Sequence, residues 1–515
     1  VAIGRSGEVS FASVLRCMNQ AQTFLTLFLA LLPIFLLLLL PVGWQTNEEH
    51  TFMLAHRRVA PEHFSEFSAA FDNSRARILN EWLIGSFIHY LGYETAHTVL
   101  RLGMAMLYAA SFALLLRSLR LSVLDGLLVL ALFYLLGPDL MGGEWLFDGV
   151  EAKTFAYALV FTAFACIIEH RLVLAALALV AATYFHFLVG GFWALLLFCL
   201  DFGLHRRLDR TLVYACLYGL LVLPLVGILI DDQLGTAVPD LAAQGKPSPD
   251  YIYSIIRLPQ HVAPFNDLGQ RITWVKGMLA TSALFLTFVV MARLARTAVK
   301  VFAVLVAGLA AYLLMAVGIS YLDAGTGVLG KFYLFRPSSL TLLLALLTAV
   351  MFVRSQECEA LAQAKLLVAV LSVSLFFGQA LLSKFKEYRS LRTFGEVQQL
   401  AQAVATHTAP HDLVLIQPQR EMRQPFTSLP RLLDRPTLVS WKFVPTNPVD
   451  ILHWYDLVQY RNKIFEHGCA EGLAYPIRHL VIADPGALAA VQSCGPIIWQ
   501  SKQFALVSVS SSEGG

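Results

Sequence analysis

The chain has 515 residues, and its 38 Lys and Arg against 35 Asp and Glu leave a formal net charge of +3, a near-balance that argues against a nucleic-acid partner. Charged residues make up 14% of the chain, where a soluble domain carries about 25%, and 57% are hydrophobic, which excludes a single water-soluble globule. The imbalance is regional, with 24 charged residues in 384–515 and 49 spread through the much longer stretch before it.

A bilayer core about 30 Å thick takes about 20 mostly apolar residues in a helix, because in hydrocarbon every backbone N–H and C=O must be paired within the segment. Eleven runs suit this: 23–42, 97–117, 121–137, 153–169, 171–186, 187–204, 210–230, 274–293, 298–319, 332–353 and 364–383. The first, TFLTLFLALLPIFLLLLLPV, resembles a secretory signal but is long and lacks a small-residue cleavage site after it, so it reads as a retained span. An odd number of spans puts the termini on opposite sides. Lys and Arg in short turns mark the cytoplasmic side. With the N-terminus inside, the turns 117–120, 169–171, 205–210, 293–300 and 354–365 each carry at least one. The long connections 43–96, 138–152, 231–273 and 320–331 then lie outside with the tail, and elaborated loops gathered on one face are where function is expected.

In the first of these loops, Asn47-Glu48-Glu49-His50 follows the span closely. The pair is either ordinary interfacial charge or a general base, its pKa tuned by a low-dielectric surface to accept a proton from a hydroxyl. The second reads GGEWLFDGVEAK from Gly142 to Lys153. Its acids Glu144, Asp148 and Glu151 either cap the following helix, where the dipole favours them, or form a site in which Lys153 orients a carboxylate. The third holds Arg257-Leu258-Pro259-Gln260-His261, then Pro264 and Asn266-Asp267. A guanidinium and an imidazole four residues apart beside prolines suit a phosphate gripped from a fixed turn, and equally suit lipid headgroups. The fourth leads into Lys331-Phe332-Tyr333-Leu334-Phe335-Arg336-Pro337, whose two cations run against the positive-inside bias and therefore read as functional. His186, at the outer turn between two spans, reads as hydrogen-bonded packing or as a ligand.

The tail alternates strand-like runs at 413–417, 480–483, 496–499 and 504–509 with helical ones at 394–406 and 450–465, the second announced by Asn447-Pro448. The segments 440–448 (SWKFVPTNP) and His453-Trp454-Tyr455 set aromatics beside polar groups, as sugar-stacking surfaces, interface anchors and cores all do. Cys469 and Cys494 are the only cysteines in the tail, and an oxidising outer compartment would permit a disulfide between them or leave both unpaired. Cys17, Cys166, Cys199, Cys216 and Cys358 fall in spans or on the inner side. No Walker, Rossmann or zinc-ligand spacing occurs, and no internal repeat is evident. The expected fold class is a polytopic α-helical membrane protein of about eleven transmembrane helices at 1–383, with a small α/β extracytoplasmic domain at 384–515.

This layout resembles the GT-C superfamily of multi-pass glycosyltransferases, which use polyprenyl-phosphate-linked sugars. The shared features are an inside N-terminus, around eleven spans, a long first external loop opening on an acidic pair, and a soluble outer C-terminal domain. The resemblance covers nearly the whole chain in architecture and a few residues in motif. It implies a catalytic base at Glu49 or Glu48, the Glu-Glu pair standing where Asp-Glu is commoner. It further implies a second acidic site near the acceptor at Glu144, Asp148 or Glu151, beside Lys153. Cations holding the lipid phosphate would be Lys331 and Arg336, with Arg257 and His261 as secondary candidates. The implied partners are a polyprenyl-phosphate-linked sugar, membrane lipids and a glycan, lipid or protein acceptor, at a bacterial inner (plasma) membrane. A divalent metal on the acids is left open. The Glu151-Ala-Lys, Arg257-Leu-Pro-Gln-His and Trp441-to-Pro448 segments are also similar to a bacterial branch of membrane proteins, a likeness that implies no activity. A transporter or lipid flippase is the main rival, yet polar residues should then recur inside several helices, whereas here the charges gather on one face. A non-catalytic assembly factor whose tail binds a partner is the third reading.

Overall fold

Runs of Leu, Phe, Ala and Val long enough to cross a bilayer can pair their peptide groups only within the segment, and the computed structural model of the protein forms helices over each such run. It describes residues 11–40, 43–64, 75–234, 245–265, 268–356, 359–390, 394–418, 426–469, 473–484, 486 and 488–509. Asn266, Asp267 and Cys358 lie outside the described residues, as does the side chain of Cys17. The bundle consists of α1 (Phe11–Leu39), α2 (Thr46–Val59), α3 (Ile78–Ser118), α4 (Val123–Leu136), α5 (Ala152–Ile168), α6 (Leu172–Phe185), α7 (Phe187–His205) and α8 (Leu208–Leu234). Short helical turns over 249–262 follow, then α9 (Leu268–Leu294), α10 (Thr297–Leu322), α11 (Ser338–Arg354) and α12 (Glu359–Ser390). Among the described residues seven of these, α1, α3, α7, α8, α9, α10 and α12, are long and apolar enough to cross a membrane, and α4, α5, α6 and α11 are shorter apolar helices. The protein is an integral membrane protein.

Helix boundaries follow local chemistry. α4 starts at Ser122, whose hydroxyl accepts the Asp125 N–H at 3.2 Å while the Asp125 carboxylate accepts the Ser122 N–H at 2.9 Å. The apolar stretch 171–204 divides at His186, which is extended at φ −152°, ψ 101°. Its two helices then press together so closely that a Cβ on Gly190 would lie 2.3 Å from the Thr183 nitrogen.

Several boundaries depart from the sequence reading, among them those of α3, α11 and α12. α3 begins at Ile78 rather than 97, because polar residues such as Asn80, Glu81 and Glu94 mask helical sequence that tertiary pairing stabilises; Arg58 holds Glu81 at 2.7 Å. Gly92, at φ 72° and ψ 168°, breaks this helix in a conformation other residues avoid. Much of the expected loop 43–96 is thus helical. α11 starts at Ser338 rather than 332, since turns through Tyr333, at φ 49°, and Pro337 precede it. α12 runs beyond 383 to Ser390.

The tail comprises α13 (Phe394–His407), β1 (Leu413–Ile416), α14 (Pro448–His467), β2 (Ile477–Ile482), β3 (Ile497–Gln500) and β4 (Ala505–Ser508). The sheet order is β1-β2-β4-β3, with β1 and β2 parallel and the other pairs antiparallel. Strand alternation sends Leu413, Leu415, Leu480 and Ile482 to the α14 side, and Val414, Ile416 and Val481 to the α13 side. α14 starts where the Asn447 side chain accepts the Val449 N–H at 2.9 Å, ahead of Pro448. Cys469 and Cys494 are joined in a disulfide.

Tail and bundle share a core, for Ile252, Tyr253 and Leu258 of the third long connection pack among the α14-side residues. A buried ionic latch joins them a second time. Glu49 of α2 accepts hydrogen bonds from Ser428 Oγ at 2.5 Å and from Arg431 Nε at 2.7 Å, and Arg431 also reaches Glu94 at 2.7 Å while lying 4.0 Å over the Trp44 ring. Removing one member of a buried pair leaves the other charge uncompensated, at about 3–5 kcal/mol. Arg431→Ala is therefore expected to loosen the tail from the bundle and expose it to protease at temperatures where the parent resists. Limited proteolysis along a temperature series checks this, and an unchanged cleavage pattern would refute it.

Candidate active site

The end of the bundle that carries the long connections encloses a polar cavity of about 160 Å³. Four segments far apart in sequence build its walls: Asn47 and His50 of α2, Glu144, Trp145 and Glu151 to Lys153 before and at the start of α5, Arg257, Leu258, Gln260 and His261, and Tyr333 with Arg336. Arg77, His186 and Tyr253 add to them, and the tail supplies Lys442 and Val444. The three segments likened to a bacterial branch, 151–153, 257–261 and 441–448, thus meet in one place.

On one side Glu144 sits between two cations, with Lys153 Nζ 3.4 Å and Arg336 Nη2 3.9 Å from its carboxylate oxygens. Burial raises the affinity of Glu144 for a proton, but Lys153 and Arg336 outweigh it and leave the carboxyl below the usual glutamate range. Lys153 also stands 3.6 Å over the Trp145 ring. Arg336 lies 4.3 Å over the Tyr333 ring, donates to His186 Nε2 at 2.8 Å, and has its Nε buried without a hydrogen-bond partner. His261 Nδ1 donates to the Gly142 carbonyl at 2.7 Å, and burial lowers the pKa of its ring, so the imidazole is neutral with Nε2 as its acceptor.

The other side is acidic and basic together. Glu151 precedes α5, its N–H donating to Thr154 Oγ1 at 3.0 Å. One of its carboxylate oxygens, Oε1, is buried without a hydrogen-bond partner. Burial pushes this carboxyl well above the usual glutamate range; Lys153 and Lys442 pull it back only in part, and the nearby Asp148 and Glu48 add to the rise. Lys442 is displaced the opposite way, its ammonium disfavoured by burial and by Arg257. Its Nζ donates to Asn47 Oδ1. Arg257 holds the tail segment from below by donating to the Trp441 carbonyl at 2.6 Å and the Lys442 carbonyl at 3.3 Å.

Of the residues expected from sequence, Glu144, Glu151, Lys153, Arg257, His261 and Arg336 line the cavity. Glu48, Glu49, Asp148 and Lys331 are not among the described residues that do. Glu48 is fully buried and accepts from Arg101, from His97 Nε2 at 3.0 Å, from the Gln45 N–H at 3.0 Å and from the Val150 N–H at 2.7 Å. Burial pushes its carboxyl up, yet Arg101 and His97 prevail and hold it at about 2. Glu49 is engaged in the latch to Ser428 and Arg431. Asp148 is raised to about 6 by burial. Lys331 turns instead to Asp250 at 3.0 Å. Arg77 and Tyr253 were not singled out; the only sequence signal for Arg77 is a cation in a connection on the outer side. Among the described residues no group of three or more His, Cys, Asp and Glu is arranged to hold a metal ion.

Next to the polar cavity lies an apolar one of about 320 Å³, walled by Phe187, Phe192 and Trp193 of α7, Tyr312 of α10, Leu334 and Pro337. The two share Tyr333 and Arg336.

Fold and site together define a polytopic helical membrane protein in which an α/β tail roofs a charged cavity. Among solved structures the chain is similar to the crystal structure of ArnT from Cupriavidus metallidurans in the apo state, with 13% sequence identity and a TM-score of 0.42 over 95% of this chain and 98% of that one. No family model matches the chain, and no curated protein does.

The depressed Glu48 carboxyl carries a pH signature. With an ordinary value of 4.5 lowered to about 2, its contribution to stability is present above pH 4.5 and is lost as pH falls towards 2. Glu48→Gln is expected to lower stability at pH 7 by about 3 kcal/mol or more, and by progressively less in acid. Thermal melts of parent and variant between pH 3 and 7 read this directly, and a constant gap across that range would refute it.

Proposed function

We propose that this protein is a membrane glycosyltransferase that moves a sugar from a polyprenyl-phosphate carrier to an acceptor hydroxyl on the external face of a bacterial inner membrane. The observation that carries the reading is the junction of the two cavities. A substrate that is apolar at one end and anionic at the other fits a greasy cavity beside a cationic one, with its phosphate at the Arg336 that lines both. A polyprenyl chain would lie along Phe187, Trp193 and Tyr312, and the sugar would extend toward Glu151.

In this reading the base is Glu151, rather than the Glu48 or Glu49 of the sequence expectation. A base needs a carboxylate oxygen free to take a proton and a pKa near the working pH. Glu151 has a buried oxygen without a partner and a raised pKa, whereas Glu48 and Glu49 are engaged with arginines. Glu151 takes the acceptor proton as the hydroxyl oxygen bonds to the anomeric carbon. The bond from that carbon to the phosphate oxygen breaks, and its electron pair leaves with the polyprenyl phosphate. Arg336, with Lys153 and Lys442 nearby, stabilises that developing charge. Glu144 orients Lys153 and Arg336, and Asn47, Arg257 and His261 fix the acceptor side.

The test is release of free polyprenyl phosphate from a panel of polyprenyl-phosphate sugars by the full chain in nanodiscs. Glu151→Gln is expected to slow release by about 10²–10⁴-fold with binding retained. Arg336→Ala is expected to weaken donor binding as well as turnover. Because the working form of Glu151 is the deprotonated one, activity should fall as pH drops through a value above the ordinary glutamate range. It should fall again in alkali, below the ordinary lysine range, as Lys442 loses its proton. Full activity in Glu151→Gln, or no release from any carrier sugar, would end this reading.

A further inference from the structure

A cavity of about 710 Å³, more voluminous than either of the two above, lies at the opposite end of the bundle from that site, and the proposed reaction does not use it. Four guanidinium groups from separate places in the chain face it: Arg117 at the carboxyl end of α3, Arg120 in the turn to α4, Arg171 in the turn between α5 and α6, and Arg354 at the end of α11. The amino end of the α1 span closes one side, and Leu121 and Ile168 give the wall apolar patches.

Among the described residues the charge there is not balanced from within. Glu169 is the one acid among the described lining residues, and it is shared by Arg117 at 2.7 Å and Arg171 at 3.3 Å. Arg354 shares Asp125, which stands behind the wall, with Lys365. Arg120 is exposed and sits at φ 56°, a backbone conformation that glycine adopts without strain and arginine does not, so the turn keeps a cation where the backbone favours its loss. Sorting of the chain by positive charge requires only that cations follow a span. It does not require four of them to converge on one basin. The basin also lies where the apolar helices α1, α3, α5 and α11 reach their ends, the level at which a bilayer presents its phosphates.

We propose that this arginine basin is a binding site for a phosphate group, distinct from the catalytic cavity, at the membrane–water boundary on the opposite face. The group is carried either by an anionic lipid headgroup or by a soluble phosphate. Several forked guanidinium donors on one phosphate give charge-assisted bonds that a phosphocholine lipid, with its own internal cation, satisfies less well. An apolar wall beside them fits the glycerol and upper acyl carbons of a lipid.

The experiment uses the full chain in nanodiscs of phosphatidylcholine containing phosphatidylglycerol, with native mass spectrometry counting the lipids retained, and in detergent with inorganic phosphate or pyrophosphate followed by thermal melting. Retention of phosphatidylglycerol over phosphatidylcholine is expected, weakened about tenfold in Arg120→Gln/Arg171→Gln and restored in the lysine pair Arg120→Lys/Arg171→Lys. A melting rise with phosphate or pyrophosphate but no lipid preference supports the site with a soluble source. A phosphatidylglycerol preference or a phosphate-induced melting rise that persists undiminished in the glutamine variant, or no response to any of these probes, overturns it. Should the glutamine variant fail to fold, a phosphatidylglycerol carrying a photoreactive group is crosslinked to the parent. Labelling of 117–122 or 168–171 supports the site, and its absence overturns it.

Discussion

A charge held against a low-dielectric surface must be paired or hydrated, and the end of this bundle that carries the long connections is arranged around one carboxylate that meets this demand. Glu48 gathers Arg101 and His97 of α3 together with the Val150 N–H, so one side chain ties α2, α3 and the connection before α5 to a common point. The approach is close enough that a Cβ on Gly149, itself at φ 78°, would stand 3.1 Å from Glu48 Cγ. Glu151 is the next residue after Val150, so the anchor that neutralises Glu48 also fixes the position of an acid left unneutralised.

Its neighbour Glu49 shows how helical geometry divides labour. Successive residues on a helix point about 100° apart and do not share neighbours. Glu48 consequently serves the bundle and Glu49 serves the tail through Ser428 and Arg431. Two adjacent acids that look like one motif on paper answer to two different parts of the molecule.

The positions of the apolar helices were legible because hydrocarbon imposes a single solution on the backbone, and the tail strands because their β-branched runs are short and bounded by turn residues. The start of α3 was not legible, since Asn80, Glu81 and Glu94 carry the marks of a loop until their partners across the fold are known. At the site, Arg336 stood out as a cation on the side where charge sorting does not place one, Arg257 and His261 as a guanidinium and an imidazole beside prolines, and Glu144 as one of three acids ahead of an apolar run. Glu151 and Glu48 could not be ranked, for what separates them is which carboxylate meets an arginine 53 positions away in sequence. Lys331 and Arg336 share a pattern as well, yet Asp250 draws one aside and Glu144 faces the other. Lys442 lay within an aromatic segment whose aromatic character drew attention from its single cation.

The contact of Arg257 with the Trp441 and Lys442 carbonyls has a bearing on how the protein comes into being. Asn47, Glu151 and Arg257 are made well before Lys442, the lysine that completes their cavity. Until the tail has folded, the bundle holds an unroofed set of charges open to water and lipid alike. The pocket therefore does not exist as an enclosed space during insertion, and it closes only when the tail has been made and seated.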